Sequence, residues 1–341
     1  MERIRLGRTG LEVCADGFGA LPIQRMSMPD AAALLRRARA VGIDFFDTAR
    51  AYTDSEAKLK AAFEGNWDGI VLASKTMAKN VADFWRELDK SLAELGRDHI
   101  DLYQFHMPQQ CYKPGDGTGM YEAMLEAKAQ GKIRFIGMTA HRLDRAQQCI
   151  DSGLYDTLQF PFSYLSGPQE EALVAGCKAQ DMGFIAMKAL SGGLITDIAA
   201  ARAYMGRFDN VVPIWGLQRE SELDALLADR AAGRASGPEV EKRIAADRAE
   251  LGGAFCRGCG YCMPCPVGIE ISMCARIMLF SRRASMDMFT PEWQHKMAQT
   301  RNCIECGECA KACPYDLGPP ALMQKNYTEY VAELGFEPKV P

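Results

Sequence analysis

The sequence lacks any apolar run near the roughly 18 residues that a transmembrane helix requires, so no membrane-spanning segment is expected. It also lacks an excess of basic residues, with 40 Lys and Arg against 44 Asp and Glu. Proteins that bind nucleic acid neutralise phosphates with a basic surface, so nucleic acid is not an expected partner. The opening residues, MERIRLGRTGLEV, are charged and contain no apolar segment, which predicts no signal peptide. We therefore expect a cytoplasmic protein.

Cysteine, in contrast, is abundant and unevenly distributed. In a chain of 341 residues without an export signal, 13 cysteines favour metal or redox chemistry over disulfides. Cys14, Cys111, Cys149 and Cys177 are scattered and are expected to pack as small apolar side chains. The other nine follow residue 255: Cys256, Cys259, Cys262, Cys265, Cys274, Cys303, Cys306, Cys309 and Cys313.

Short apolar runs alternate with amphipathic stretches from residue 13 to about residue 227. Two of the stretches, PDAAALLRRARAVG and DFWRELDKSLAELG, have helical spacing and end at glycine. Eight strand–helix alternations predict a parallel (β/α)8 barrel of the TIM type, with a doubly wound open sheet as the alternative. The eight runs are VCADGFG, IDFFD, IVLAS, IDLYQF, IRFIG, TLQFPF, FIAM and VVPIW.

Four titratable residues of different types follow these runs. Asp47 ends IDFFD, Tyr52 lies just beyond it, Lys75 follows IVLAS and His106 follows IDLYQF. Each residue alone has a structural explanation, such as a helix cap or a packed histidine. Barrel enzymes carry their catalytic groups at the carboxyl ends of the strands, so together the four predict a catalytic site.

The stretches LGRTGLEV, GIDFFDTARAYTDSE, ASKT and IDLYQFH resemble the aldo-keto reductase family over the whole predicted barrel. The resemblance implies a catalytic tetrad of Asp47, Tyr52, Lys75 and His106, and a nicotinamide cofactor, NAD(P)H, across the strand ends. Tyr52 would be the general acid in reduction, with its phenolate stabilised by Lys75. Asp47 would hold the Lys75 ammonium, and His106 would orient the carbonyl oxygen.

Contacts to the cofactor are also implied by the resemblance and by positions after the last strands, where barrels often bind phosphate. The sequence also departs from the family pattern at several positions around this cofactor. One departure places a glutamate where the family has an arginine for the 2′-phosphate of NADPH. Because a glutamate would repel this phosphate, a strong preference for NADPH is not expected. The implied contacts are Gln159 at the carboxamide, Lys188, Gly192 and Gly193 at the pyrophosphate, and Gly216, Gln218 and Arg219 near the adenosine. The departures are Thr139, Ala140 and His141 in place of Ser-Asn, Met187 in place of an aromatic ring, Ala225 and Leu226 in place of Glu-Asn, and Glu222 in place of an arginine.

The composition shifts to Gly, Ala, Ser and Pro near Gly233, which predicts a barrel domain at 1–232 and a second domain at 233–341. The second domain contains C-x2-C-x2-C-x2-C-P at 256–266 and C-x2-C-x2-C-x3-C-P at 303–314. The latter spacing is that of bacterial ferredoxins, in which the fourth cysteine ligates the other 4Fe-4S cluster. Two clusters are therefore predicted, one on Cys256, Cys259, Cys262 and Cys313 and one on Cys303, Cys306, Cys309 and Cys265.

A zinc site is the alternative for these cysteines, because four thiolates suffice for one tetrahedral ion. Eight spaced cysteines exceed that need, and the terminal Cys-Pro pairs favour clusters. The first run is one residue shorter than the usual ferredoxin spacing, and Cys265 is its fourth cysteine. Residues 270–297 between the runs are predicted helical, in the manner of helical two-cluster ferredoxins, with Cys274 packed among them.

The sequence as a whole predicts an oxidoreductase that reduces a small carbonyl or oxidises an alcohol with NAD(P)H. Its cluster domain is either structural or exchanges electrons with a ferredoxin or a flavodoxin. Hydride transfer moves two electrons together, whereas iron–sulfur centres pass one at a time. A second hypothesis is therefore one-electron, ketyl-type reduction or dehydration at the same tetrad without nicotinamide. A third is a non-enzymatic electron carrier.

Overall fold

A computed structural model describes residues 2–251, 255–258, 260–283, 287–313 and 315–339. The predicted cluster ligand Cys259 lies outside these ranges. The chain forms two compact units, residues 1–189 with 198–236 and residues 190–197 with 237–341. The sequence-based division after residue 232 stays a prediction. Among the described residues, no helix has both the length and the apolarity that crossing a membrane requires.

The first unit is a closed barrel of eight parallel strands, in which the last strand pairs with the first. This confirms the predicted (β/α)8 barrel, and the open-sheet alternative is wrong. The first predicted run, VCADGFG, is divided between an antiparallel hairpin and the barrel. The hairpin strands are β1 (Arg3–Arg5) and β2 (Glu12–Cys14), and the barrel strands are β3 (Gly17–Gly19), β4 (Phe45–Asp47), β5 (Val71–Thr76), β6 (Ile100–His106), β7 (Ile133–Thr139), β8 (Thr157–Pro161), β9 (Gly183–Met187) and β10 (Val211–Gly216).

Helices alternate with these strands, and their ends follow local capping chemistry. The side chain of Ser27 accepts a hydrogen bond from the Asp30 backbone N–H at the start of α1, and Asn80 does the same with Asp83 at the start of α3. Gly96, with φ of 65°, ends α3. The helices are α1 (Met28–Ala40), α2 (Ser55–Phe63), α3 (Val81–Leu95), α4 (Met120–Ala129), α5 (Leu143–Ser152), α6 (Pro168–Ala179), α7 (Ile198–Met205) and α8 (Glu220–Ala232), with a 3-10 turn at Pro22–Arg25.

The hairpin closes the amino-terminal end of the barrel. Ile4, Leu6 and Val13 of this hairpin are buried in one apolar cluster with residues near the beginnings of the barrel strands, including Phe45 and Leu102. Burial of apolar surface is the main favourable term in folding, and this cluster fills the barrel interior below the strand ends. We call it the floor cluster.

The second unit is helical, and no strand occurs among the residues of this unit that the structure describes. The described part of residues 270–297 is largely helical, as predicted, and forms three helices. The last of these begins with Thr290 as its N-cap, whose side chain accepts from the Trp293 backbone N–H, and with Pro291 in its first turn. The helices are α9 (Pro238–Leu251), α10 (Ile271–Cys274), α11 (Ile277–Arg283), α12 (Pro291–Ala298), α13 (Glu308–Lys311) and α14 (Pro319–Leu334), with 3-10 turns at Ser191–Gly193 and Gln299–Asn302.

Candidate active site

Three neighbouring strands place polar side chains in one layer of the barrel. Asp47 ends β4, and Lys75 on β5 pairs in register with Gln104 on β6. The residues two positions earlier on these strands belong to the floor cluster. Because side chains alternate along a strand, the three polar residues also point into the barrel, one layer nearer the carboxyl ends.

Lys75 and Asp47 form a buried ion pair. The Lys75 Nζ atom donates to Asp47 Oδ1 at 2.7 Å and to the Thr48 carbonyl oxygen at 2.7 Å. Asp47 and Lys75 are each 1% exposed. Burial lowers the pKa of Lys75 and raises that of Asp47, and in both cases the opposite charge of the partner counteracts the shift. The predicted role of Asp47 in holding the ammonium agrees with this geometry.

Tyr52 and His106 lie beside this ion pair. The Lys75 Nζ atom is 5.2 Å from the centroid of the Tyr52 ring. The ring centroids of Tyr52 and His106 are 5.6 Å apart, with the rings nearly perpendicular. Within the described ranges, the Tyr52 hydroxyl forms no hydrogen bond with Lys75 or His106, and the ammonium donates to Asp47 and Thr48. The four predicted residues are thus brought together, without the direct phenol–ammonium bond.

Burial controls the protonation of both rings. It raises the pKa of the Tyr52 phenol, and the nearby charge of Asp47 raises it further. Burial, with a smaller effect of Lys75, lowers the pKa of His106 to about 3. The phenol therefore keeps its proton at neutral pH and the imidazole is neutral. The Nδ1 atom of His106 is buried and lacks a hydrogen-bond partner among the described residues.

Gln104 is a residue of this site that the sequence analysis missed. Its Nε2 atom lies 2.8 Å from Gln159 Oε1 and 3.4 Å from Asp47 Oδ2, while Gln159 Nε2 lies 3.3 Å from Asp47 Oδ1. Asp47 is thus held by one ammonium and two amides. The signal was available, since Gln104 precedes His106 by two residues on the same strand and must share its face.

Gln159 lies deeper than its predicted role suggests. It is 1% exposed, and both ends of its amide contact Asp47 or Gln104 inside the barrel. This environment favours a structural polar layer, the plainer explanation for an inward-facing amide on β8. Its predicted contact with the nicotinamide carboxamide stays a prediction.

His141 is a second histidine near the tetrad. It lies two residues beyond the end of β7 and is 6% exposed. Burial, followed by the nearby Lys188 charge and by the proximity of His106, lowers the pKa of His141 well below its usual value. In the sequence, His141 is a departure from the family pattern; in the structure, it is buried close to His106.

The predicted adenosine contacts surround the start of α8. Gly216 ends β10, and the two residues before the helix, Gln218 and Arg219, present backbone N–H groups. The Glu222 carboxylate accepts from both of them, at 2.8 Å and 3.1 Å, and so caps the helix. An anion arriving at these N–H groups would have to displace a carboxylate that the chain itself supplies.

The predicted pyrophosphate residues are divided between the two units. Lys188 directly follows β9 in the first unit and has a positive φ of 57°. Gly192 and Gly193 belong to the second unit, in the 3-10 turn at Ser191–Gly193. Their binding roles stay predictions.

Two small cavities in the second unit are lined by cysteines. One is lined by Cys256, Cys262 and Cys313. The other is lined by five cysteines: Cys262, Cys265, Cys303, Cys306 and Cys309. These groupings are those expected if each run sends its fourth cysteine to the other cluster. Ligation by these residues stays a prediction.

The described side chains form no ready-made site for a single metal ion: within the described ranges, no three His, Cys, Asp or Glu side chains are close enough together to hold one. Burial and the neighbouring Cys303 and Cys306 raise the pKa of Cys309. A zinc site of four thiolates stays the alternative prediction for these cysteines.

A larger cavity of about 580 Å³ lies at the opposite end of the barrel. Its arginines are paired: Arg3 with Asp44 at 2.8 Å, and both Arg97 and Arg134 with Asp101 at 3.4 Å and 2.7 Å. No tetrad residue lines this cavity. Its size alone therefore does not make it the reaction site.

Comparisons with known proteins match two separate parts of the chain. A family model described as "Aldo/keto reductase family" matches residues 16–231, and one described as "4Fe-4S dicluster domain" matches residues 255–318. L-galactose dehydrogenase of Arabidopsis thaliana is 32% identical over 211 residues, which cover 56% of this chain and 66% of that protein. Aldo-keto reductase YhdN of Bacillus subtilis (strain 168) is 29% identical over 219 residues, covering 58% and 64%. The chain thus spans just under two thirds of the length of these relatives.

Solved structures give the same fold. Aldo-keto reductase AKR11C1 from Bacillus halodurans, in its holo form, has a TM-score of 0.64 at 20% identity, covering 72% of this chain and 96% of that one. An aldo-keto reductase from Klebsiella pneumoniae, in complex with NADPH, has a TM-score of 0.61 at 23% identity, covering 74% and 95%. At these identities the similarity establishes the architecture alone.

Proposed function

The chain belongs to the aldo/keto reductase family and is an oxidoreductase with a C-terminal 4Fe-4S domain, and from this premise we propose that it interconverts a small carbonyl compound and its alcohol at Asp47, Tyr52, Lys75 and His106. One observation carries the proposal: the buried Lys75–Asp47 pair lies beside the Tyr52 ring, with His106 against the same ring. Buried, charge-coupled groups of this kind are typical of catalytic sites.

In the reduction, the Tyr52 hydroxyl donates its proton to the carbonyl oxygen as negative charge develops there. The raised pKa of Tyr52 keeps that proton in place until the transition state. The Lys75 charge stabilises the resulting phenolate, and Asp47 fixes the position of Lys75. Neutral His106 donates a hydrogen bond to the same oxygen. A bound nicotinamide would supply the hydride.

The adenosine end of the barrel fits a dinucleotide without a 2′-phosphate. Glu222 already accepts from the Gln218 and Arg219 backbone N–H groups. A second anion there would meet a carboxylate instead of free donors. We therefore propose NADH rather than NADPH as the nicotinamide donor.

The cysteine-lined cavities are proposed to hold two clusters, with Cys256, Cys259, Cys262 and Cys313 at one and Cys265, Cys303, Cys306 and Cys309 at the other. Such clusters supply one-electron transfer. Cys306 is exposed, so a ferredoxin- or flavodoxin-type carrier would approach the protein there. The cavities support this assignment, because one is lined by three of the four cysteines of the first set and the other by all four cysteines of the second set.

A second candidate is one-electron reduction of the carbonyl at the same tetrad, driven by reduced clusters without nicotinamide. Two observations favour it: the Glu222 carboxylate occupies N–H groups at the adenosine end, and the Gln159 amide is committed to Asp47 and Gln104. A purely electron-carrying role is not proposed, because the chain belongs to a family of oxidoreductases.

The test begins with anaerobic purification and counts of iron and sulfide, followed by titration with NADH, NADPH and dithionite against a panel of carbonyl compounds. We expect turnover with NADH. Product formed with dithionite but not with NADH would replace the first candidate by the second.

The tetrad is tested with Tyr52→Phe, which removes the proton donor and is expected to lower kcat by a factor of about 10² to 10⁴. Tyr121→Phe is the matched control, because the Tyr121 hydroxyl donates to the Leu154 carbonyl oxygen and not to the tetrad. Equal activity of the two variants would refute the assignment under either candidate.

A further inference from the structure

The Gly192–Gly193 turn and the first cysteine run share one arginine within the second unit. Gly192 and Gly193 have φ of 69° and 96°, a left-handed backbone that leaves this turn without Cβ atoms over its N–H groups. A Cβ built on Gly192 would lie 3.5 Å from Nη1 of Arg276, and one built on Gly193 would lie 4.0 Å from the Phe280 ring. The turn therefore faces a guanidinium and the aromatic ring beside it.

The same guanidinium is pressed against Gly258. A Cβ on Gly258 would lie 2.5 Å from Cζ and 2.6 Å from Nη2 of Arg276, closer than real side chains approach. Only glycine fits there while Arg276 keeps its position. Phe280 helps to fix that position, because the Arg276 Cζ atom lies over its ring at 4.7 Å from the centroid.

Gly258 belongs to the first cysteine run, between Cys256 and Cys259. Its backbone N–H donates to the Cys256 Sγ atom at 3.4 Å. The Arg276 charge therefore lies beside the loop that is proposed to hold the first cluster. Because arginine does not lose its proton in proteins, this charge is constant over the physiological pH range.

We propose that Arg276 is an anion-binding residue shared between the Gly192–Gly193 turn and the cluster at the Cys256 run, so that binding of a phosphate or pyrophosphate group at the turn and reduction of that cluster oppose each other. The proposal rests on the proposed function, since it requires a cluster and a phosphate-bearing ligand. The proposed coupling is a regulatory link that neither the cluster nor the phosphate-bearing ligand implies by itself.

The physical basis is that both events bring negative charge to one cation. Reduction adds one electron from an external donor, breaks no bond and makes the cluster one unit more negative. An anion already at Arg276 offsets the charge that would stabilise this electron. By reciprocity, the reduced protein must bind the anion more weakly by the same factor, and a tenfold factor corresponds to a shift of about 59 mV for a one-electron couple. A phosphate-bearing ligand would thus be released when the cluster is reduced.

The experiment uses the full, iron-loaded chain under anaerobic conditions. Binding of inorganic pyrophosphate, inorganic phosphate and redox-inert ADP-ribose is measured by calorimetry to the oxidised and to the dithionite-reduced protein. We expect binding to weaken about 5- to 150-fold on reduction, the usual range for coupled sites. Preference for ADP-ribose would identify a dinucleotide as the source of the anion, and preference for inorganic phosphate would identify a phosphorylated substrate. Spectroelectrochemical titration with and without pyrophosphate measures the reciprocal shift in potential.

Arg276→Gln should lose both anion binding and the shift in potential, whereas Arg276→Lys should keep part of each. Arg282→Gln is the matched control: it removes an equal charge six residues further along the chain, in α11, where Arg282 pairs with Glu329 at 2.9 Å. Iron content and circular dichroism of each variant show whether the cluster loop is intact.

Equal affinity of the oxidised and reduced protein, or a shift that persists in Arg276→Gln, would overturn the inference while leaving the proposed activity standing. Absence of anion binding in an iron-loaded protein would overturn it as well. A chain that binds no iron overturns the proposed clusters first, and the iron and sulfide counts separate that failure from the others.

Discussion

The barrel and the second unit build their sites by different means. In the barrel, Asp47 accepts hydrogen bonds from Lys75, Gln104 and Gln159, and these bonds need no ligand or metal ion. In the second unit, the cysteine-lined cavities lie among short helices, two of which contain only four residues. From this comparison we expect the geometry around Asp47 to form without any added group, and the cysteine loops to depend on bound iron for their order.

Iron removal should give the largest effect. Because metal-binding free energy in small sites is also folding free energy, chelation should make the segment from about residue 237 onward sensitive to protease while the barrel remains resistant. Limited proteolysis with mass spectrometry measures this. Cys306→Ser should lose iron, whereas Cys274→Ser should keep it, since the Cys274 Sγ atom is buried near the Lys296 carbonyl oxygen. Undiminished resistance after chelation would mean that the cysteine loops support themselves.

Lys75→Met should destabilise the barrel by about 3–5 kcal/mol, because it leaves the buried Asp47 carboxylate without its counter-charge. The double variant Lys75→Met/Asp47→Asn should recover part of this loss. Arg37→Met is the control, since it breaks an exposed pair with Asp224 that is worth at most about 1 kcal/mol. Urea unfolding monitored on the barrel transition measures all three. Equal losses in Lys75→Met and Arg37→Met would show that the site is not held by this pair.

His106 should make the stability of the barrel depend on pH. Its folded-state pKa of about 3 is depressed from about 6.5 in the unfolded chain, so the unfolded state binds more protons between these values. Stability is then complete above pH 6.5 and is lost as the pH falls, by about 2 kcal/mol between pH 6.5 and 5. His106→Gln should flatten this slope in urea unfolding, and the exposed control His295→Gln should not. An unchanged slope in His106→Gln would exclude His106 as its source.

Glu222→Gln should give the smallest effect on stability. Loss of the carboxylate at the start of α8 should cost about 0.3–1 kcal/mol. The same change should raise affinity for NADPH relative to NADH, as measured by fluorescence titration. Glu220→Gln, which alters a carboxylate in the same helical turn, is the control for the cofactor effect. Unaltered discrimination between the two cofactors in Glu222→Gln would remove Glu222 from the binding site.

The sequence predicted the barrel because each strand is a short apolar run that is separated from the next by a periodic helix. It did not predict that VCADGFG is divided, since the antiparallel pairing of Val13 with Ile4 depends on a tertiary contact. The proximity of the tetrad residues could be predicted from strand-end positions and from the family resemblance, while the catalytic role of the tetrad stays a prediction. The polar layer beneath it was not recognised, although Gln104 alternates with His106, because a lone glutamine in an apolar run carries no chemical motif.

In the second unit, the cysteine spacing predicted two clusters of cysteine side chains. Such a prediction is possible because the geometry of a metal site restricts the spacing of its ligands along a loop. Arg276 has no such signature. Its position against Gly192 and Gly258 depends on the break between α10 and α11 and on the Phe280 ring, which are features of packing rather than spacing. A single sequence does not reveal which of many arginines occupies such a position.

The hairpin of β1 and β2 also affects how small molecules enter and leave the barrel. Leu6 and Val13 fill the amino-terminal end of the barrel among the described residues. We therefore expect a substrate to enter, and its product to leave, at the carboxyl ends of the strands, so that one molecule departs before the next arrives. On this basis the loops at the carboxyl ends should determine specificity, whereas the hairpin should contribute to stability.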